Sequence, residues 1–134
     1  MPPPELAALQ QRAAGIGVAL DDLRGKRLLA YLDLLERWNR TYNLTAVRER
    51  DAMREQHLLD CLAVVPPLRR RLTRSGRVLD VGSGGGLPGV VIAVMADDID
   101  VCCVDAVGKK AAFVRQVAGA LSLPNLHAEH ARIE

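Results

Sequence analysis

Aromatic side chains are almost absent from this chain: one Trp, two Tyr and one Phe, 3% of 134 residues. Any core must therefore be closed by aliphatic side chains, and an apolar fraction of 49% supplies them. Also missing is an apolar run of the roughly 20 residues that a membrane-spanning helix requires. The opening Met-Pro-Pro-Pro-Glu carries no signal-peptide hydrophobic stretch, so the expected compartment is the cytoplasm. Cysteine is scarce and odd in number, three in all, which excludes a disulfide framework. Cys102 and Cys103 fall inside a strand-like run and are expected as small buried hydrophobes. His127 and His130 are three apart with no Cys or carboxylate cluster beside them, and no metal site is expected there.

Lysine is also rare, 3 against 15 arginines, and the formal net charge of +2 hides an asymmetry. Residues 1 to 77 carry 14 Lys/Arg against 9 Asp/Glu, a net of +5, and residues 78 to 134 carry 4 against 7, a net of −3. Five arginines (Arg69, Arg70, Arg71, Arg74 and Arg77) cluster at the junction. A basic half of this kind suits a polyanionic partner such as nucleic acid, or simply a solvated arginine-rich surface.

The amino-terminal region, residues 1–76, reads as helical. Glu5 to Ala14 forms a short helix ended by Gly15, and Asp21 or Asp22 caps a longer one. Leu28, Tyr31, Leu32, Leu35 and Trp38 recur at helical spacing and make one apolar stripe. Tyr31 and Trp38 are accordingly expected in the core. Asn39 to Thr45 reads as a polar turn. Asp51 then caps a third helix through about Val65, with Leu58, Leu59, Leu62 and Val65 available for burial, and Pro66-Pro67 ends it. From residue 77 the pattern alternates: strand 77–81, helix 88–95, strand 99–104, helix 108–121, strand 126–130. That order predicts a parallel α/β sheet over residues 77–134.

Asp80-Val81-Gly82-Ser83-Gly84-Gly85-Gly86-Leu87-Pro88-Gly89 ends the first of these strands and opens the first helix. Strand, acid, glycine loop and helix together build a nucleotide pocket at the carboxyl end of a sheet. The loop has two registers. Gly84, Gly86 and Gly89 fit the G-x-G-x-x-G of dinucleotide binding, the mark of an NAD-type oxidoreductase. Asp80, Gly82, Gly84 and Gly86 fit the D-x-G-x-G-x-G of S-adenosylmethionine (SAM) enzymes. A pyrophosphate at the helix N-terminus would be repelled by a carboxylate two residues before the first glycine. SAM has no phosphate, and its ammonium and sulfonium are cationic. The chemistry favours the SAM register; the dinucleotide register is the alternative. Asp105, 21 residues beyond Gly84 at the end of the next strand, has the spacing of an acid that meets ribose hydroxyls, and its plainer reading is a helix cap.

Three further stretches stand in order around this loop: Trp38-Asn39-Arg40-Thr41-Tyr42-Asn43-Leu44-Thr45, His57-Leu58-Leu59-Asp60, and Gly108-Lys109-Lys110. Taken with the glycine loop they resemble the glucose-inhibited division protein B family, the small-subunit ribosomal RNA methyltransferases G, across essentially the whole chain. The resemblance implies a Rossmann-like class I SAM methyltransferase sheet preceded by a helical segment. It implies methyl transfer from SAM to N7 of one guanosine in 16S rRNA, with the small ribosomal subunit as partner. It places Gly82, Leu87, Ile133 and Glu134 at SAM-contacting positions and Asp105 near the ribose. It also suggests that Asn43, Arg48 and His57 lie on a polar surface facing cofactor and RNA; the basic cluster, read from charge, adds Arg69, Arg70 and Arg71 as candidate RNA contacts. For His57-x-x-Asp60 the other reading is a local hydrogen bond within one helix turn. No catalytic residue is expected, because guanine N7 carries a free lone pair and no proton must be removed. A non-catalytic RNA-binding module would share these motifs.

Three strands are visible where such a sheet has about seven. The expectation is a cofactor-binding fragment, with weak SAM affinity and no measurable rRNA methylation by the 134 residues alone.

Overall fold

The computed structural model describes residues 3–72 and 75–132. Three helical elements lead. Helix α1 spans Pro4–Gly15 and α2 spans Asp22–Tyr42. The third, α3, runs as an α-turn Arg50–Ala52, a π-helical stretch Met53–Leu59 and a second α-turn Asp60–Leu62. A short α4, Val65–Arg71, follows. Then come β1 (Gly76–Val81), α5 (Gly89–Met95), β2 (Ile99–Asp105), α6 (Gly108–Ala120) and β3 (Leu126–His130).

Local chemistry explains most of the boundaries. The Asp21 carboxylate accepts the Arg24 amide at 2.8 Å and starts α2. Asn43 ends it in the left-handed region (φ 51°), returning its amide to the Asn39 carbonyl at 3.2 Å. The polar stretch expected as a turn from Asn39 is thus helical to Tyr42, and the turn begins at Asn43. Tertiary packing extends the helix: the Trp38 ring lies 5.4 Å from both Tyr42 and Phe113. Asp51 is not a cap; Glu49 holds that position without a side-chain bond. Pro66 and Pro67 do not simply stop a helix either. They sit in the first turn of α4, where a missing N–H costs nothing.

The strands pair in parallel, in the order β1-β2-β3, with Val78 opposite Val101 and Val101 opposite Leu126. Consecutive parallel strands need crossovers, and the common right-handed crossover puts α5 and α6 on one face. Val90 to Val94 and Phe113, Val114 and Val117 are buried there. Helix α2 lies over these crossover helices, so Leu28, Tyr31, Leu32 and Leu35 join the sheet residues in one core. The aliphatic stripe read from the sequence is this contact. Arg50 ties the outer helices together, pairing with Glu5 of α1 and with Asp33 and Glu36 of α2 at 2.7–2.9 Å.

The opposite sheet face is open. Leu79 and Val81 are 60% and 56% exposed. A hollow of about 420 Å³ on this face is lined by Arg77, Leu79, Asp100, Cys102 and His127 among others, away from the glycine loop. Cys103 and Cys61 are thiols, with Cys103 buried. Burial pushes Cys61 up to about 11 and Cys103 up to about 12.

Candidate functional site

The glycine loop leaves the carboxyl end of β1, and its first act is to extend the sheet: the Gly82 amide donates to the Val104 carbonyl at 2.7 Å. Gly82, Gly84 and Gly86 then take φ of +70°, +59° and +90°, a region that side chains avoid. A Cβ on Gly82 would meet nothing within 4 Å, and one on Gly84 only the Leu44 carbonyl oxygen. These two glycines face open space. Gly86 faces inward, where a Cβ would lie 2.6 Å from Val90 Cγ2. Gly89 is different again. It lies outside the positive-φ set and is confined by packing, its Cβ position lying 2.5 Å from Cys103 Sγ.

Two carboxylates organise the loop. Asp80 Oδ2 accepts the Gly89 amide at 2.9 Å and so caps the first turn of α5. Burial raises the Asp80 carboxyl above its ordinary value, the Gly89 hydrogen bond opposes that, and neighbouring Asp105 adds to it. Asp105, the last residue of β2, is buried at 8% exposure. Its Oδ2 accepts the Gly84 amide at 3.0 Å and its Oδ1 the Val107 amide at 2.8 Å. Asp105 therefore does more than cap a helix: it bridges the glycine loop to the turn before α6, which starts at Gly108. Beneath the loop, Ser83 Oγ is buried without a hydrogen-bond partner among the described residues. It lies near enough to Cys103 to oppose the upward shift of that thiol.

The helical region closes over the loop. Tyr31, fully buried on α2, donates its hydroxyl to the Gly85 carbonyl at 2.5 Å. Past α2 the chain folds back, so that the Leu44 carbonyl lies against Gly84 and Gly85. Buried Asn39 holds this segment: its Oδ1 accepts the Thr45 amide at 2.8 Å. Thr45 Oγ1 in turn lies 2.9 Å from His57 Nε2 and accepts the Val47 amide at 3.2 Å. Burial lowers the His57 pKa below its usual value, with Asp60 opposing, which favours the uncharged ring. The hydrogen bond of His57 thus reaches Thr45, in another segment, and not Asp60 one turn on. A single π-helical stretch inside α-turns is a frequent companion of functional positions, and His57 lies within one.

The sequence-derived residues divide in space. Asp80, Gly82, Gly84, Gly86 and Asp105 converge, with half-buried Leu87 at the loop's end. Asn43 and Arg48, bonded to each other, stand next to them through Leu44. Exposed Tyr42 carries Lys109 Nζ 4.8 Å from its ring centroid. Arg69, Arg70 and Arg71 are on α4, before β1, at the amino ends of the strands. Arg69 is held there by Asp98, which precedes β2, through two bonds of 2.8 and 2.5 Å. Six strand residues separate that end from the loop, roughly 20 Å. Ile133, Glu134 and Arg74 lie outside the described residues. His130 bonds the Ala106 carbonyl and His127 stands 3.8 Å from Asp100. Among the described residues no group of three His, Cys, Asp or Glu is placed to hold a metal ion.

Sequence reasoning assigned Tyr31 to the core and missed its bond to the loop, since no local signal links residues 54 apart. It likewise missed the Asn39-Thr45-His57 chain.

Comparison with known proteins adds the following. Residues 24–134 match the family profile described as GidB, rRNA small subunit methyltransferase G. Proteins named ribosomal RNA small subunit methyltransferase G are similar to it. The one from Acidovorax ebreus (strain TPSY) is 53% identical, covering 95% of this chain and 60% of its own. That from Bordetella avium (strain 197N) is 53% identical (98% and 61%), and that from Leptothrix cholodnii is 54% identical (98% and 61%). The chain spans about 60% of the length of these relatives. In shape, a coclaurine N-methyltransferase crystallised with N-methylheliamine and SAH gives a TM-score of 0.43 at 12% identity, over 96% of this chain and 49% of that one. That likeness is too distant for any property of the site to rest on it.

Proposed function

This chain belongs to the rRNA small subunit methyltransferase G family, and on that premise we propose that it forms the cofactor-binding part of a SAM-dependent methyltransferase acting on N7 of a guanosine in 16S rRNA. The observation that carries the reading is the Asp80–Gly89 bond. In the dinucleotide register a pyrophosphate would take that helix-terminal amide, and here a carboxylate already occupies it. The three positive-φ glycines, Gly82, Gly84 and Gly86, also follow the SAM register.

The residues present fit SAM. Gly82 and Gly84 leave open space at the loop, and two carboxylates make the surroundings anionic. Asp80 would face the cationic methionine half and Asp105 the ribose, using carboxylate lone pairs that the backbone amides leave free. SAM, when bound, supplies an electrophilic methyl on its sulfonium. The chain's task is alignment and exclusion of water. Guanine N7 has a free lone pair, so no residue needs to accept a proton, and His57 serves to hold Thr45. Asn43 and Arg48, bonded to each other and joined to the loop through Leu44, would meet the guanosine beside the cofactor. The arginines of α4 would grip phosphates farther along the rRNA, positioning it without reading bases. Among the described residues no helix is long and apolar enough to cross a membrane, and acting on a ribosomal substrate would put the work in the cytoplasm.

Titration of the chain with SAM and with NAD, followed by NMR to reach weak affinities, tests the cofactor. Shifts of Gly82–Gly86 amides with SAM alone are expected; binding of NAD instead would overturn the assignment. Mass mapping of 16S rRNA from cells lacking the gene tests the target. Loss of one N7-methylguanosine is expected, and an unchanged pattern would leave a non-catalytic RNA-binding module.

A further inference from the structure

A loop with glycine at 82, 84, 85 and 86 has little steric preference of its own. Something outside it must select one conformation if it is to meet a ligand ready-made. Three side chains bond its backbone or that of Gly89 just beyond: Asp105 holds the Gly84 amide, Asp80 the Gly89 amide, and Tyr31 the Gly85 carbonyl. The two acids also belong to the ligand-facing surface. Tyr31 does not. It is fully buried and reaches the loop from below, out of the helical region.

We propose that Tyr31 is a positioning residue of the cofactor site, its hydroxyl fixing the Gly85–Gly86 peptide so that α2 sets cofactor affinity without touching the ligand. This rests on the SAM-site reading above. The geometry around the bond is closed. Leu35 Cδ1 stands 3.2 Å from where a Gly85 Cβ would be, and the Leu44 carbonyl oxygen lies 4.0 Å from the same point. The loop therefore has a wall on its inner side and open space at Gly82 on its outer side. Within the loop, the amides of Gly86 and Leu87 both turn back to the Ser83 carbonyl, at 3.0 and 3.3 Å. That leaves the Gly85 carbonyl to be satisfied from outside the turn, and Tyr31 is its donor. The ring cannot swing away freely, because Phe113 of α6 lies against it at a centroid distance of 6.1 Å. Burial raises the phenol well above its ordinary value, so it stays a protonated donor at any physiological pH.

Without the hydroxyl, the Gly85–Gly86 peptide is left with one anchor, the Gly86 amide's bond to the Ser83 carbonyl at 3.0 Å, and the two glycines add little steric resistance to its turning. The fraction of molecules with a competent loop then drops, and the apparent dissociation constant rises by the inverse of that fraction. One neutral hydrogen bond of ordinary worth translates to roughly 3- to 10-fold.

The test compares Tyr31→Phe, which keeps ring and volume, with Leu9→Val, a core change on α1 remote from the loop. Each is titrated with SAM well below its melting temperature, and the amide resonances of Gly84–Gly86 are followed before SAM is added. The expected result is a 3- to 10-fold weaker Kd for Tyr31→Phe, displaced or broadened loop amides, and an unchanged Kd for Leu9→Val. Equal weakening in both variants would reduce Tyr31 to a stabilising core residue and overturn the proposal. So would an unchanged Kd in Tyr31→Phe. A wild-type chain that shifts no loop amide with SAM would instead sink the cofactor assignment itself, a separate failure read from a separate sample.

Discussion

Replacing Asp80 with Asn separates what the site does for the fold from what it does for its ligand. The carboxylate has one structural duty, accepting the Gly89 amide at 2.9 Å, and an Asn carbonyl oxygen performs it equally. What Asn lacks is charge. Burial and the nearby Asp105 already make that charge unfavourable in the folded chain, which is why the Asp80 pKa lies above 3.8. The sign follows. A carboxyl with a raised folded pKa contributes stability below its unfolded pKa and loses it as pH rises through the folded one. At pH 7 the wild-type charge is therefore a cost, and Asp80→Asn removes it. The melting temperature of the ligand-free variant should equal or exceed that of wild type. Ligand binding moves the other way. Contacts to a charged group contribute about 1.5–3 kcal/mol, and each 1.4 kcal/mol is tenfold in affinity. SAM should bind about 10- to 150-fold more weakly. Calorimetric melting and an NMR titration on the same sample read both quantities. A variant that melts several degrees lower, or that binds SAM like wild type, refutes the reasoning, since Asp80 would then be a cap and nothing more.

The remaining predictions concern loop, helix, pH and RNA. Gly86→Ala forces φ +90° on a side chain and a Cβ 2.6 Å from Val90 Cγ2, and chemical denaturation should show a loss of about 1–3 kcal/mol. Gly119→Ala, with nothing within 4 Å of its Cβ in α6, should instead gain about 0.5–1 kcal/mol. Glu5 is held below 4.5 chiefly by its hydrogen bond from Arg50. Its stabilisation is fully present above pH 4.5 and lost as pH falls through the lowered value, so Glu5→Gln should flatten the stability curve only in that acid window. If Arg70 and Arg71 grip rRNA phosphates, changing each to Ala should cut the salt slope of RNA binding by about one. Arg48→Ala should weaken engagement of the target guanosine, and an unaltered slope in the α4 variants would confine the RNA face to the carboxyl ends of the strands.

Much of this protein is legible along the chain because its signals are local. Apolar spacing identifies α2, since a helix buries one stripe and Leu28, Tyr31, Leu32 and Leu35 all lie on it. The alternation after residue 77 yields the parallel strands, because only crossovers connect them. The register of the loop also shows, because positive φ demands glycine at 82, 84 and 86 and an acid precedes them. Boundaries failed where packing overrode propensity: Trp38 and Tyr42 against Phe113 and Lys109 keep α2 helical past Asn39.

What the chain could not disclose by itself is which distant groups meet. Tyr31 and Gly85 are 54 residues apart, His57 and Thr45 are 12, and Asp105 and Gly84 are 21. Likewise, an arginine run next to the loop in sequence lies at the far end of a strand in space, because a strand carries the chain straight across the sheet. Residue types and periods determined the elements and the kind of ligand the loop suits. The arrangement of three layers around one core decided which side chains hold that loop in shape, since a hydrogen bond depends on distance in space and not on separation along the chain.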